Sequence, residues 1–173
     1  MAIIKPLRGI TPKIGNNCFI AETAVIIGDV EIGDDCSIWY GAVIRGDVNS
    51  IRIGNRVNIQ DNAVLHTTYQ KTTITLSDDV SVGHGVIVHG AHVSKGALLG
   101  MGSTIMDNAT IGEGAIVAAN ALILENTNVE PSTVYAGVPA KFIKKVDPEL
   151  SRNTNERIAR NYLFYSSWYK ENE

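Results

Sequence analysis

Aliphatic residues recur at every sixth position along most of this chain. Six successive isoleucines begin the pattern, and related side chains carry it on to Tyr135, giving twenty hexads. The residues that open the hexads are Ile14, Ile20, Ile26, Ile32, Ile38, Ile44, Ile53, Ile59, Leu65, Leu76, Val82, Val88, Val93, Leu99, Ile105, Ile111, Val117, Ile123, Val129 and Tyr135. A period of six matches neither the 3.6-residue repeat of an α-helix nor simple strand alternation. It predicts short strands separated by turns that stack into an all-β solenoid.

The position four residues after most openers is small, as a tightly packed interior site requires. Its occupants are Cys18, Ala24, Val30, Cys36, Ala42, Val48, Val57, Ala63, Ala97, Ser103, Ala109, Ala115 and Ala121. Glycine often follows the opener, where a turn with positive φ favours it. The resulting pattern, [LIV]-G-x-x-[small]-x over residues 14 to about 137, resembles the hexapeptide-repeat family. The resemblance implies a left-handed parallel β-helix with three hexads in each triangular coil.

The end of the repeat predicts a change of structure. Asp147 followed by Pro148 is typical of a helix N-cap with proline at the first helical position. Helical spacing relates the later residues Ile158, Tyr162, Tyr165 and Tyr169. We therefore predict a lead-in over residues 1–13, a β-helix over 14–146, and a C-terminal helix of about 20 residues within 147–173 that packs along a solenoid face.

Composition narrows the classes of function. The formal net charge is −3 without long runs of one sign, which argues against nucleic acid or an anionic membrane as the main partner. The first residues lack the pattern of a signal peptide, and no segment approaches a membrane span, so we expect a cytoplasmic protein.

Cys18 and Cys36 lie one coil apart within disulfide reach, but the small interior position explains both, and we expect free thiols.

Histidines mark the candidate site. His66 and His89 each follow the opener of a hexad, and with three hexads per coil they fall on one face in adjacent coils, about 4.8 Å apart. Two imidazoles placed in this way can share one metal ion, or they form a polar surface ladder. His84 falls on a different face, so a neighbouring chain around a threefold axis would have to supply it. His92 is expected in a turn or on the surface.

Four short motifs together are similar to those of the γ-class carbonic anhydrases. They are IRGD at 44–47, NIQDN at 58–62, LH at 65–66 and GHGVIVH at 83–89. The resemblance implies that His66, His84 and His89 bind Zn²⁺, or else Fe²⁺ or Co²⁺, across the interfaces of a homotrimer. Zinc lowers the pKa of bound water to about 7, so the implied activity is reversible hydration of CO₂ to bicarbonate. The irregular steps of the repeat, after Ile44, Leu65 and Val88, surround these residues, as insertions at a binding face do.

The same resemblance implies roles for residues around the metal. Gln60 matches the glutamine that orients metal-bound solvent, and Asn58 matches the residue that holds this glutamine. Arg45 and Asp47 match a pair at the subunit interface, and Asp61 matches a nearby carboxylate. From the residues alone, Gln60 is equally an ordinary surface amide, and the charged residues are solvated loop side chains.

Two departures from the best-studied members concern proton transfer. Val48 stands where those proteins have a glutamate, and the loop after His66 is only TTYQKTT, without a carboxylate. Such glutamates carry protons out of the site, so slower turnover is expected while metal binding is unaffected. Tyr162 matches, loosely, an active-site tyrosine on the C-terminal helix.

Three other functions remain open from the sequence. The segment VYAGVPAKFIKK at 134–145 is similar to the end of many hexapeptide acyltransferases, which use one catalytic histidine rather than three. An acyl-coenzyme A thioesterase would use the same metal site on a thioester. A metal-binding structural trimer would carry the site without catalysis.

Overall fold

The computed structural model describes residues 1–170, which form twenty short strands and one helix. In chain order these are β1 (Ile3–Lys5), β2 (Lys13–Ile14), β3 (Phe19–Ile20), β4 (Val25–Ile32), β5 (Ser37–Ile38), β6 (Val43–Ile53), β7 (Asn58–Ile59), β8 (Val64–His66), β9 (Ile74–Leu76), β10 (Ser81–Val82), β11 (Ile87–His89), β12 (His92–Val93), β13 (Leu98–Leu99), β14 (Thr104–Ile105), β15 (Thr110–Ile111), β16 (Ile116–Val117), β17 (Leu122–Ile123), β18 (Asn128–Val129), β19 (Thr133–Gly137), β20 (Ala140–Lys145) and α1 (Pro148–Lys170). Within this part of the chain, no helix has the length and apolar character needed to cross a bilayer.

Strands from successive coils pair in parallel and build the three faces of a left-handed β-helix of about seven turns. Face 1 contains β1, β4, β6, β8, β11, β14 and β17. Face 2 contains β2, β4, β6, β9, β12, β15 and β18, since the long strands β4 and β6 bend around the edge between the two faces. Face 3 runs from β3 through β5, β7, β10, β13 and β16 to β19. At the end of this face, β20 pairs with β19 in antiparallel orientation. The predicted fold class is confirmed.

The register follows the six-residue repeat. Hexad openers such as Ile26, Ile44 and Leu65 pair coil above coil and are fully buried in one continuous core. Where the repeat is irregular, the extra residues lie at the edge between faces 1 and 2. Residues 47–50 bulge out of β6, and residues 67–73 form a loop between β8 and β9. The shortened step after Val88 lies between β11 and β12 at the same edge, so all three changes of spacing are concentrated there.

The corners of the coils explain the frequent Asn residues and part of the Gly residues. The glycines that follow the openers do not have the expected positive φ; they lie against the next coil, as at Gly100, where a Cβ would be 2.6 Å from the Ala119 amide nitrogen. Asn62 and Asn120 adopt left-handed backbone conformations with φ of 59° and 56°, which Asn tolerates better than most residues. Gly102 occupies the corresponding corner between them, and a Cβ there would lie 2.4 Å from Asn120 Oδ1. Glycine occupies this corner in several coils, including those of Gly41, Gly85 and Gly102, and asparagine occupies it in others.

Helix α1 folds back over face 3. Asp147 Oδ1 accepts a hydrogen bond from the Glu149 amide at 2.9 Å, so the predicted N-cap and the proline at the first helical position are confirmed. Asn155 Nδ2 donates to the Gly96 carbonyl at 2.8 Å, and farther along the helix Tyr162 packs edge-on against Trp39 of face 3. Residues 171–173, which the sequence prediction included in this segment, lie outside the described residues.

Two further expectations concern the start of the chain. Residues 1–13 were expected to be a lead-in, and within them β1 pairs with β4, extending face 1 by one strand. Cys18 and Cys36 are not joined by a disulfide, as expected, and their Sγ atoms contact the carbonyl oxygens of Gly33 and Gly54 at 3.2 and 3.1 Å. Hydrogen bonding to Cys18 and burial raise the pKa of the Cys36 thiol.

Candidate metal centre

Two of the predicted ligands lie in a column of side chains at the edge between faces 1 and 2, here called the His66 edge. His66 and His89 are paired across β8 and β11, and His66 Nδ1 lies 3.3 Å from His89 Nε2. Asp47 Oδ1 lies 3.1 Å from His66 Nε2 at one end of the column, and Asp107 Oδ1 lies 2.8 Å from His89 Nδ1 at the other. The predicted stacking of the two histidines is confirmed.

The outer carboxylates determine which ring nitrogens are protonated. An ionised carboxylate only accepts hydrogen bonds, so each neutral imidazole directs its N–H outwards, to Asp47 or to Asp107. The nitrogens that face each other, His66 Nδ1 and His89 Nε2, then both present lone pairs. Two lone pairs at this distance repel each other unless a proton or a metal cation lies between or beside them. The column thus has the donor chemistry of a cation site.

The supporting contacts keep this column in place. Arg45 Nη1 donates to Asp47 Oδ2, and this hydrogen bond lowers the pKa of the Asp47 carboxyl although burial acts against it. Burial and the charge of Arg45 lower the pKa of His66, which favours the neutral, metal-binding form of the ring. Burial opposes ionisation of Asp107, but hydrogen bonds from Thr68 and His89 lower its pKa.

The third predicted ligand lies at the edge between faces 3 and 1, here called the His84 edge. His84 Nδ1 lies 2.8 Å from Asp61 Oδ2, and its Nε2 lies 3.3 Å from the hydroxyl of Tyr162 on α1. Its side chain is 46% exposed. Burial, reinforced by the charge of Asp61, raises the pKa of Tyr162 to about 12, so the phenol is a hydrogen-bond donor at neutral pH. The loosely matched Tyr162 therefore contacts a candidate ligand.

Asn58 and Gln60 lie on the outer side of face 3, next to the His84 edge. Gln60 Nε2 donates to Asn58 Oδ1 at 3.0 Å, and Asn58 Nδ2 donates to Ser81 Oγ at 2.7 Å. Both amides are buried. Because Asn58 fixes which end of the Gln60 amide is Nε2, the carbonyl oxygen of Gln60 is directed away from Asn58. The two residues form an oriented pair rather than ordinary surface amides.

The two edges lie too far apart for one chain to complete a three-histidine site. His84 lies in the turn that precedes β11 and His89 ends this strand, so the two histidines stand at opposite edges of face 1. Within residues 1–170, no group of three His, Cys, Asp or Glu side chains could hold a metal ion. The site residues therefore form two separate groups, one on each edge of face 1.

All three candidate ligands have the same kind of support. His66 contacts Asp47, His84 contacts Asp61, and each contact leaves one ring nitrogen for a ligand. A carboxylate that accepts a hydrogen bond from the other nitrogen is the usual partner of a metal-binding imidazole. Asp107 does this for His89 and was missed by the sequence analysis, although it lies 18 residues, one regular coil, beyond His89.

Comparison with known proteins agrees with this architecture. The profile described as "Bacterial transferase hexapeptide (six repeats)" matches residues 11–46 and 90–125. The chain is 46% identical over 168 residues to a carbonic anhydrase of Geobacillus kaustophilus, an alignment that covers 97% of this chain and 91% of that protein. It is 42% identical over 146 residues to the mitochondrial gamma carbonic anhydrase 2 of Arabidopsis thaliana, covering 80% of this chain and 52% of that longer protein.

A solved structure extends the similarity to the whole chain. The crystal structure of a Bacillus cereus protein described as an acetyltransferase superimposes with a TM-score of 0.94 at 44% identity, covering 99% of both chains. The names of these relatives therefore include two enzyme classes on one fold. Because it is 46% identical to a carbonic anhydrase over 97% of its length, the chain belongs to the γ-class carbonic anhydrase-like proteins of the hexapeptide-repeat family.

Proposed function

We propose that the chain is a metal-dependent carbonic anhydrase that hydrates CO₂ reversibly at the subunit interfaces of a homotrimer. Each site would take His66 and His89 from one subunit and His84 from its neighbour. The observation that carries this proposal is the division of the site into two groups on opposite edges of face 1. Neither group is complete, and each presents imidazole nitrogens that the carboxylates leave available.

A threefold arrangement would join the two groups without changing the chain. If face 1 of each subunit turns towards a common axis, the His66 edge of one subunit meets the His84 edge of the next. The outward residues of face 1 are largely apolar, as a buried surface requires. Aligned along it are Ile3, Val25, Val43, Val64, Ile87, Thr104 and Leu122. Ile87, between the two edges, is 42% exposed in the single chain.

The chain's own residues would prepare this site in two ways, and a bound metal ion would add a third contribution. Asp47, Asp61 and Asp107 hold the imidazoles in the tautomers that bind a cation. A bound Zn²⁺, Fe²⁺ or Co²⁺ would supply Lewis acidity, lowering the pKa of coordinated water so that a nucleophile is available near neutral pH. Gln60, fixed by Asn58, would accept or donate a hydrogen bond to the reacting molecules with its free amide atoms.

Exchange of subunits tests the shared site directly. A double variant, His66→Ala with His89→Ala, loses one half of every site, and His84→Ala loses the other half. Each is expected to bind no metal alone. After the two are unfolded together and refolded as a mixture, about one quarter of the wild-type metal content should return, because random assembly pairs the intact halves at that frequency. Failure of the mixture to recover metal would contradict the shared site.

His92→Ala is the matched control for the single-site variant. His92 is exposed on face 2, where it pairs with Thr75 and Thr110 and not with the candidate ligands. It should retain one metal per chain. Loss of metal from this variant would show that removal of any surface histidine disturbs the protein.

Hydration of CO₂ tests the reaction itself. Stopped-flow rates should be measured on protein purified without oxygen, with metal content determined on the same sample. We expect one metal per chain and a rate that a chelator abolishes. We also expect the rate to depend on buffer concentration, because Val48 and the loop 67–73 supply no carboxylate to carry protons away. Bound metal without hydration would contradict the proposed activity.

Acyl transfer is the second candidate, and the 44% identical Bacillus cereus protein favours it through its description. Such an enzyme would need a general base and no metal. Turnover of acetyl-coenzyme A by metal-free protein would support acyl transfer. Hydrolysis of an acyl thioester that requires the metal would instead support the thioesterase alternative.

A further inference from the structure

A pocket lined mostly by aromatic side chains opens beside His84, between face 3 and the C-terminal part of α1. We call it the aromatic pocket, and its volume is about 330 Å³. Its lining residues are Trp39, Tyr40, Asp61, His84, Tyr162, Tyr165, Trp168 and Tyr169. Trp168 and Tyr169 are 51% and 40% exposed, so aromatic side chains line the mouth of the pocket as well as its interior. This is much more space and ring surface than a molecule as small as CO₂ requires.

The charges of the aromatic pocket have one sign. Asp61 is the single carboxylate in the lining, which contains no lysine or arginine. Its Oδ2 contacts His84, whereas no hydrogen bond to Oδ1 is found within residues 1–170. Four tyrosines, Tyr40, Tyr162, Tyr165 and Tyr169, line the same pocket as Asp61, and aromatic ring faces are electron-rich.

We propose that the aromatic pocket binds small organic cations, with the ammonium group against the aromatic faces and beside Asp61. Ring faces attract cations through their quadrupoles, and the attraction strengthens where water is partly excluded. A carboxylate with a free oxygen adds charge complementarity, whereas an organic anion would be repelled. The proposal goes beyond hydration of CO₂, which is uncharged, and it needs only one chain.

Intrinsic fluorescence provides a local probe, because both of the chain's tryptophans, Trp39 and Trp168, line this pocket. Metal-stripped protein should be titrated with choline and, separately, with 3,3-dimethyl-1-butanol, which has the same shape without the charge. Sodium chloride at matching ionic strength corrects for salt. We expect a saturable change with choline and at least about tenfold weaker binding of the uncharged analogue. Equal responses to the two compounds would overturn the proposal.

Variants test the two features that carry the proposal. Trp168→Leu removes an aromatic wall and leaves Trp39 as the probe, and Asp61→Asn removes the charge. Each should weaken choline binding about tenfold, which saturation-transfer NMR can follow independently of fluorescence. Phe142→Leu is the control, since Phe142 is an exposed aromatic residue on β20 that does not line the pocket. Unchanged binding in both test variants would overturn the proposal.

The outcome is independent of the proposed reaction. Choline binding is measured without metal and without CO₂, so inactive protein that binds choline would reject the hydration proposal alone. Protein that hydrates CO₂ but shows no charge-dependent binding would reject the cation site alone. Filling of the pocket by a neighbouring subunit would also appear as absence of binding and would count against the site.

Discussion

At the scale of single residues, the most informative side chain is one that the sequence analysis did not select. Asp107 contacts His89 Nδ1 at 2.8 Å, and Thr68 Oγ1 donates to its second oxygen at 2.7 Å. Thr68 thus holds the carboxylate while the carboxylate orients His89. Asp107 lies 18 residues, the length of a regular coil, after His89. In the hexad pattern, however, the step after Val88 is one residue short, so the two residues do not occupy equivalent positions in their hexads.

Asp107→Asn should weaken metal binding without unfolding the β-helix. An amide is a poorer acceptor than a carboxylate and no longer fixes the His89 tautomer, so we expect a loss of about 10- to 100-fold in metal affinity. Competition with a chromogenic chelator measures this value. Glu125→Gln is the control, because Glu125 occupies the position one coil beyond Asp107 and is exposed. Equal affinities in the two variants would show that Asp107 does not support the ligand.

At the scale of elements, α1 packs on face 3 of the solenoid and contributes Tyr162 to the His84 edge. The side of the helix that faces the β-helix is built from small or polar buried residues, namely Ser151, Asn155, Ala159 and Ser166. Small side chains allow close approach, and Ser151 Oγ and Asn155 Nδ2 donate to the carbonyls of Gly114 and Gly96 at the coil corners. Spacing in the sequence predicted the helix and its cap. It could not predict that Tyr162 would contact His84, since that depends on where the helix lies on face 3.

Asn155→Ala should destabilise the docked helix. It removes a buried hydrogen bond and leaves the Gly96 carbonyl without its side-chain donor, which costs about 1–2 kcal/mol in the free energy of unfolding. Chemical denaturation followed by circular dichroism measures the change. Hydrogen exchange should also become faster in α1 than in the strands. Asn153→Ala, on the exposed side of the same helix, should change stability by less than about 0.5 kcal/mol. A similar loss in both variants would mean that helix propensity, not docking, is being measured.

At the scale of the whole molecule, the six-residue repeat predicts far more than the number of coils. It places His66 over His89 and His84 in a different hexad, because the register of a solenoid is fixed by which residues enter the core. Ile51 and Ile74 remain buried in spite of the insertions before them, so the added residues are expelled to the edge. The sequence alone did not reveal that both edges belong to the same face. The position of the two edges on one face follows only from the three-dimensional path of the chain. Because of it, a closed ring of subunits that share face 1 as their interface would complete every site.

Ile87→Lys tests this assembly at the middle of face 1. In the proposed trimer three copies of residue 87 turn towards one axis, so lysine would bring like charges together in an apolar region and oppose association. We expect monomers by light scattering and loss of metal, with an unchanged circular dichroism spectrum, because the position is exposed in the single chain. Ile143→Lys is the control, since Ile143 is 56% exposed on β20, outside face 1, and should leave the trimer and its metal intact. A trimer that keeps its full metal content after Ile87→Lys would show that face 1 does not line the axis, and the two halves of the site would then have to meet through a different surface.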